Sequence, residues 1–392
     1  MRIALKGGDV LVSNLWHKRA TLLLEDGRIL AVLKPGEPFE ADETRDQTGH
    51  KLVPGFIDTQ VNGGGGVLFN DAPTVDGISK IAEAHRAYGT TSLLPTLISD
   101  DLDVVTAAIE AVDAAIEAGV PGVIGIHIEG PFLSTARKGI HDAAKFRTLD
   151  ADAVRLLSSL KFGKTLVTLA PECTTPEMVS RLVDAGVIVA AGHTAASYED
   201  TMAAVRAGLT GFTHLHNAMT PMTSRAPGVV GAALDSRMTT AGIIVDGHHV
   251  HPASLRAALY AKGADQLMLV TDAMPSVGAS TKNFTLQGLP ITVENGRCTG
   301  PDGTLAGSDL DMASAVRNAV SLMGVPLDTA VRMASRSPAR FLGFGHEIGD
   351  IRAGMKADLC VLDGEDQVTE VWIGGTPYGG TAQKGHVGGT NG

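Results

Sequence analysis

Along residues 1–50 the apolar positions fall in short β-prone runs, such as Val10-Leu11-Val12, Thr21–Glu25 and Arg28–Leu33. The turns Gly7-Gly8-Asp9 and Asp26-Gly27 separate them. That spacing predicts strands, with a hairpin at Asp26-Gly27. From Leu52 onward the rhythm changes. Apolar runs predicted as strands (Phe56-Ile57-Asp58, Gly89–Thr96, Gly122–Glu129, Thr165–Ala170, Val187–Gly192, Gly211–His214, Gly242–Val245 and Leu267–Thr271) alternate with helix-period segments. The predicted helices are Ile78–Tyr88, Val104–Ala118, Ala151–Leu160, Pro176–Ala185, Tyr198–Ala207 and Pro252–Lys262, with Ser308–Met323 and Leu327–Ala334 closing the series. Repeated strand–helix units imply a parallel sheet, and about eight strand candidates favour a (β/α)8 TIM-like barrel over a doubly wound sheet. Residues 274–307 interrupt the series with hairpin-like runs, and 350–374 return to short strands. The simplest assembly is a small β-sandwich domain from 1–52 and 346–378, a barrel over 53–345, and a tail at 379–392. The tail carries almost no apolar side chains and is expected to be disordered.

Composition narrows the partners. A net charge of -11 argues against nucleic acid, which needs a basic face, so an anionic ligand must meet local positive charge. Cys173, Cys298 and Cys360 are isolated, which fits a reducing, cytoplasmic setting. No stretch approaches a membrane span and the N-terminus does not read as a signal peptide.

The chemistry gathers at predicted strand ends. In GIHIEGPF, residues 125–132, His127 and Glu129 sit two apart and share a strand face before the break at Gly130-Pro131. His193 follows the strand Val187–Ala191, His214 ends another, and Asp272 follows Leu267–Thr271. A barrel delivers all its C-terminal strand ends to one rim, so Glu129, His193, His214 and Asp272 converge despite their separation. Two imidazoles and a carboxylate suit one divalent metal ion, Zn2+ or Fe2+, with an open position, and a further carboxylate suits a general base and acid. Each histidine alone reads more readily as structural than as a ligand, and the His127/Glu129 pair alone reads equally as a solvated strand end; four such strand-end residues together favour a metal hydrolase. His127 reads as packed against the site rather than as a ligand, and His248 and His251 acquire no role. The glycine run Gly63–Gly66 leaves free N–H groups that either approach a ligand or form a loose loop.

These stretches resemble the N-acetylglucosamine-6-phosphate deacetylases of the amidohydrolase superfamily. The matching segments include PGFIDTQVNGGGG at 54–66, HIEGPF at 127–132, KGIHD at 138–142, GHTAASY at 192–198, THLHNAM at 213–219, DGHHV at 246–250, LVTDAM at 269–274 and GTLAGSDLDM at 303–312. The resemblance spans nearly the whole chain in order. It implies a (β/α)8 barrel with a terminal β-sandwich, one metal ion per subunit on Glu129, His193 and His214, and Asp272 as general base and acid. It implies that His141 contacts the acetamido carbonyl. His249, the backbone at Asn217 and Ala218, and Arg225 would bind phosphate, with Arg225 reaching the neighbouring active site of a homodimer. The implied reaction converts N-acetyl-D-glucosamine 6-phosphate to D-glucosamine 6-phosphate and acetate, a step of amino-sugar breakdown.

Two departures matter. Where the wider superfamily carries His-x-His, this chain has Gln60 and Asn62, and neither amide is a good transition-metal ligand. His216 stands where relatives often carry an aromatic residue, close enough to His214 to face either the metal or the substrate. Two other readings compete: a different amidase or deacylase on the same scaffold, which would not need Arg225 and His249, and a non-catalytic sugar-phosphate sensor, which would not need Asp272 and the metal set.

Overall fold

The computed structural model describes residues 1–379. Eight parallel strands form one sheet: Phe56–Val61, Thr90–Ile98, Gly125–Glu129, Lys164–Leu169, Ile188–Ala191, Gly211–Phe212, Thr240–Ile243 and Leu267–Leu269, each beside the next in chain order. Closure comes from the backbone just beyond the last strand. Val61 bridges Ala273 in parallel, the Asp272 N–H donates to the Gln60 carbonyl, and the Asn62 N–H donates to the Ala273 carbonyl. The predicted barrel is therefore present. Both faces of its strands are covered, which is why they read as near-continuous apolar runs rather than alternating ones. The helices pack outside; Val75–Arg86 and Leu102–Glu117, for example, lie against the strand Thr90–Ile98.

The ends of the predicted elements need adjusting. The sixth strand is only Gly211–Phe212 and the eighth ends at Leu269, so His214 and Asp272 stand on the loops that follow. Ser308 ends a strand, Leu305–Ser308, rather than starting a helix. The helix runs Met312–Asn318 and continues as a π turn over Ala319–Met323. A helix at Arg336–Phe341 had no clear periodic signal. Gly63–Gly66 is not a loose loop. Gly63 and Gly64 pair with Val67 and Leu68, and the N–H groups of Gly63, Gly65 and Gly66 donate to the carbonyls of Ala273, Val277 and Pro275. These donors secure the barrel seam and are not free for a ligand.

The chain termini build a second, mixed sheet. Its order is Thr376–Gly379, Val368–Ile373, Leu359–Leu362, Lys51–Pro54, Arg2–Val12, Leu15–Glu25 and Arg28–Leu33, with Glu43–Asp46 branching off Arg2–Val12. Its own core includes Leu5, Leu22, Leu52, Leu359 and Trp372. Gly379 belongs to a strand, not to the expected tail; residues 380–392 lie outside the described residues. A third, four-stranded antiparallel sheet, made from Phe284–Leu286, Leu289–Glu294, Arg297–Thr299 and Leu305–Ser308, realises the interruption at 274–307. No helix among the described residues is long and apolar enough to cross a membrane.

Candidate active site

At the C-terminal rim of the barrel a cleft of about 540 Å3 opens, within the usual size of a small-ligand site. Glu129, His193, His214 and Asp272 all line it. Glu129 is the last residue of its strand; the other three stand two or three residues past theirs. Those three hold left-handed backbone angles, φ 48° at His193, 32° at His214 and 53° at Asp272. Such conformations cost about 1–3 kcal/mol each in a non-glycine residue and persist where surrounding contacts impose them. One such contact is a carboxylate. Glu172 accepts from the Thr194 hydroxyl at 2.5 Å and from the Ala195 N–H at 2.5 Å, gripping the loop directly after His193. On the other side Gly192 packs so tightly that a Cβ would meet Thr168 Cγ2 at 2.7 Å.

His193, His214 and Glu129 meet at one point. The two Nε2 atoms are 3.0 Å apart, and Glu129 Oε1 lies 3.0 Å from that of His214 and 3.2 Å from that of His193. The His193 Nδ1 faces the Arg137 carbonyl at 3.0 Å, and a carbonyl only accepts, so the proton of the neutral ring sits on Nδ1. The His193 Nε2 lone pair therefore points at the carboxylate and at the other imidazole. One proton on His214 cannot satisfy both; a divalent cation satisfies all three donors, at bond lengths of about 2.0–2.2 Å. The buried Glu/His/His group thus fits a metal ion, and His216 is not part of it. Burial opposes ionisation of Glu129, but the two imidazoles beside it outweigh that and hold it well below the usual carboxylate range.

Gln60 and Asn62 act here as donors. Gln60 Nε2 reaches both oxygens of Glu129, at 3.2 and 3.1 Å, and Asp272 Oδ1 at 3.2 Å. Asn62 Nδ2 donates to Asp272 Oδ1 at 2.6 Å. The two amides put N–H groups against the carboxylates where His-x-His would put imidazoles. Burial, and then the negative charge of Glu129, raise Asp272 to about 6. Beneath this layer His127 is buried, meets the Thr168 hydroxyl at 2.7 Å, and is pushed down to about 4 by burial. It packs under the site, as expected.

The remaining predicted residues divide. His141 lines the cleft, its ring centroid 4.3 Å from that of His193, and burial followed by the neighbouring His193 keeps it well below the usual imidazole range. Asn217, Ala218 and His249 also line the cleft. Arg225 does not: it is exposed on the turn closed by Thr223 and Ala226, outside this cleft in the single chain.

Several contributors had no reading in the sequence. Asp246 accepts from His249 Nδ1 at 2.6 Å and from the His248 and His249 N–H groups, and orients the ring. Burial opposes its ionisation, but these bonds outweigh it and hold Asp246 at about 2. Glu172 was also missed, as was Ser99, whose hydroxyl lies 2.8 Å from His141 Nδ1. All three share one signal, a polar residue just past an apolar run.

The pattern of the amidohydrolase family matches residues 52–386. The chain is 45% identical to the N-acetylgalactosamine-6-phosphate deacetylase of Shewanella sp. strain ANA-3, over 94% of each protein. Its fold superposes on the crystal structure of N-acetylglucosamine-6-phosphate deacetylase from Pasteurella multocida with a TM-score of 0.93 at 34% identity, covering 97% of this chain and 100% of that one. The corresponding Mycobacterium smegmatis enzyme, an Asp-to-Ala variant in complex with N-acetyl-D-glucosamine-6-phosphate, superposes with a TM-score of 0.88 at 35% identity, over 96% and 99% of the chains. With a barrel rim that gathers a buried Glu/His/His group beside an aspartate, and with these likenesses across almost its whole length, the chain belongs to the amidohydrolase family.

Proposed function

We propose that this chain is a metal-dependent deacetylase that hydrolyses the acetamide of N-acetyl-D-glucosamine 6-phosphate to D-glucosamine 6-phosphate and acetate. The observation that carries this reading is the convergence of Glu129, His193 and His214 with Asp272 in one cleft, in a chain whose relatives over nearly its full length are hexosamine-6-phosphate deacetylases. A divalent cation held by Glu129, His193 and His214, Zn2+ or Fe2+, supplies Lewis acidity and a lowered pKa for water at the site. Asp272 takes the proton of the attacking water and returns it to the amine, because an amide nitrogen leaves poorly unless protonated. Its upward-shifted pKa suits both halves of that task. His141 donates to the carbonyl oxygen as negative charge builds there. His249, held by Asp246, and the backbone at Asn217 and Ala218 receive the phosphate. Arg225 completes the phosphate site from the partner subunit of a homodimer. Exposed Met222, Met238 and Tyr260, on and around the adjacent helices Gly228–Asp235 and Pro252–Lys262, support an interface on that side.

A second reading concerns the sugar. The 45% likeness to an N-acetylgalactosamine-6-phosphate deacetylase favours the galacto epimer as substrate. Acetate release by metal-reconstituted protein, measured on both 6-phosphates and on unphosphorylated N-acetylglucosamine, tests all of this. Release from the 6-phosphates alone supports the metal, the base and the phosphate site together, and the ratio of the two kcat/KM values decides the epimer. Release from neither phosphorylated sugar, with metal bound, overturns the proposal.

A further inference from the structure

His141 stands on a loop between the short turns Thr135–Arg137 and Ala143–Lys145, with no strand or helix of its own to fix its ring. Its Nδ1 meets Ser99 twice. The Ser99 hydroxyl lies at 2.8 Å, and the Ser99 main-chain N–H donates to the same nitrogen at 3.4 Å. A main-chain N–H can only donate, so Nδ1 presents a lone pair. A proton there would set hydrogen against hydrogen and turn the hydroxyl toward its other partner, the Glu129 carbonyl, at 3.5 Å. The ring proton therefore sits on Nε2, which has no hydrogen-bond partner among the described residues although the ring lines the cleft.

Ser99 is itself held. It is buried one residue beyond the strand Thr90–Ile98, and its carbonyl accepts from Gln287 Nε2 at 2.8 Å. The Oε1 of the same side chain accepts from the Asp142 N–H at 3.1 Å. Gln287 lies in the tight turn between Phe284–Leu286 and Leu289–Glu294, with φ 49° followed by 82° at Gly288, as a two-residue hairpin turn requires. One amide thus ties the segment bearing Ser99 to the segment bearing His141.

Resting on the deacetylase reading, we infer that Ser99 and Gln287 are positioning residues for acetamide hydrolysis. Ser99 fixes His141 in the tautomer whose Nε2–H points into the cleft, and Gln287 holds the two segments at that spacing. The other tautomer would aim a lone pair at the developing oxyanion and replace attraction with repulsion.

The test combines ring 15N spectra of histidine-labelled, Zn2+-loaded protein with steady-state kinetics of Ser99→Ala, Ser99→Thr and Gln287→Glu. The wild type should show His141 protonated on Nε2 alone. Ser99→Ala should show a mixture and lose roughly tenfold in kcat with KM nearly unchanged, part of the about 10²–10³ that removing an oxyanion donor costs. Ser99→Thr, which restores the hydroxyl, should recover both signals. Gln287→Glu keeps the acceptor but loses the donor to the Ser99 carbonyl, and should move kcat the same way by less; it decides the matter if Ser99→Ala does not fold. A wild-type proton on Nδ1 overturns the inference. So does a Ser99→Ala protein with an unmixed His141 tautomer, or one with a mixed tautomer and unchanged kcat. A wild type that releases no acetate from either epimer retires the deacetylase reading instead, and the spectra alone then decide what Ser99 does to His141.

Discussion

Asn62→Leu isolates the part that an amide plays in tuning Asp272, the proposed general base. Asn62 Nδ2 donates to Asp272 Oδ1 at 2.6 Å, whereas Asn62 Oδ1 is buried without a partner among the described residues. Leucine of similar size removes the one useful bond and also one unsatisfied acceptor, so the fold should tolerate it. A hydrogen bond to a charged group is worth about 1.5–3 kcal/mol net. Gln60 Nε2, 3.2 Å from the same oxygen, takes over part of that load. A residual loss of about 1.4 kcal/mol raises the Asp272 pKa by about one unit. The sign follows from which form loses its donor. The ionised carboxylate is weakened, protonation occurs at higher pH, and a base must be ionised to accept a proton. The acid limb of the pH–rate profile should therefore move up by about one unit while the plateau stays near the wild-type value. Without metal Asp272 lies at about 6; a cation beside Glu129 offsets the negative charge that helps raise it, so the loaded wild-type limb should fall below that. The assay is acetate release at saturating substrate across pH, with metal content measured at each point. A limb that does not move, or a fallen plateau with the limb in place, would refute the reasoning and make Asn62 a purely geometric support.

Asp272→Asn should retain metal, by direct metal analysis, and lose at least about 10²–10⁴ in kcat, the usual weight of a general acid–base. Glu129→Gln should lose metal on dialysis, since the two imidazoles would be left without an anionic partner; a fully loaded, active variant would reject the ligand assignment. Arg225→Ala should raise KM for the phosphorylated sugar roughly 10–100-fold, the worth of about 1.5–3 kcal/mol in a charge-assisted contact, and leave hydrolysis of the unphosphorylated sugar unchanged. Lys262→Met tests stability. Lys262 is buried, pushed down to about 8 by burial, and donates to the Ala233 and Ser236 carbonyls at the end of the helix Gly228–Asp235. Leaving the Ala233 carbonyl bare, and the Ser236 carbonyl with only the Thr239 hydroxyl at 3.5 Å, should cost about 1–3 kcal/mol in urea unfolding, and an unchanged midpoint would mean that the cap contributes nothing.

The Glu129, His193 and His214 group and Asp272 were legible in the sequence because a parallel barrel converts four distant strand ends into neighbours. Nothing local distinguishes His193 or His214 from a packed histidine; the shared position at the end of an apolar run does. Gln60 and Asn62 were legible as poor ligands but not as donors, since donation depends on how far the first strand carries them toward Glu129 and Asp272. Ser99, Asp246 and Glu172 act through other side chains, and their partners are fixed by loop geometry that periodicity does not encode. The boundary errors have the same origin. The run from Ser308 to Met323 looks helical throughout, yet Gly307 at φ 59° lies where a Cβ would press the Asp272 carbonyl at 2.7 Å, and Ser308 pairs with the segment after the last barrel strand. Tertiary pairing overrides local preference there.

The terminal sheet bears on how the chain is made. Lys51–Pro54 pairs with Arg2–Val12 on one side and with Leu359–Leu362 on the other. During synthesis the first partner is already out of the ribosome, while the second follows only about 300 residues after Pro54. Until then the nascent chain carries an open strand edge containing Leu52 and Val53, both fully buried once the sheet is complete. Open apolar edges recruit other chains. Polypeptides that stop short of Leu359 should therefore clump rather than accumulate as free barrels, because only the strand Leu359–Leu362 closes the edge that Lys51–Pro54 leaves open.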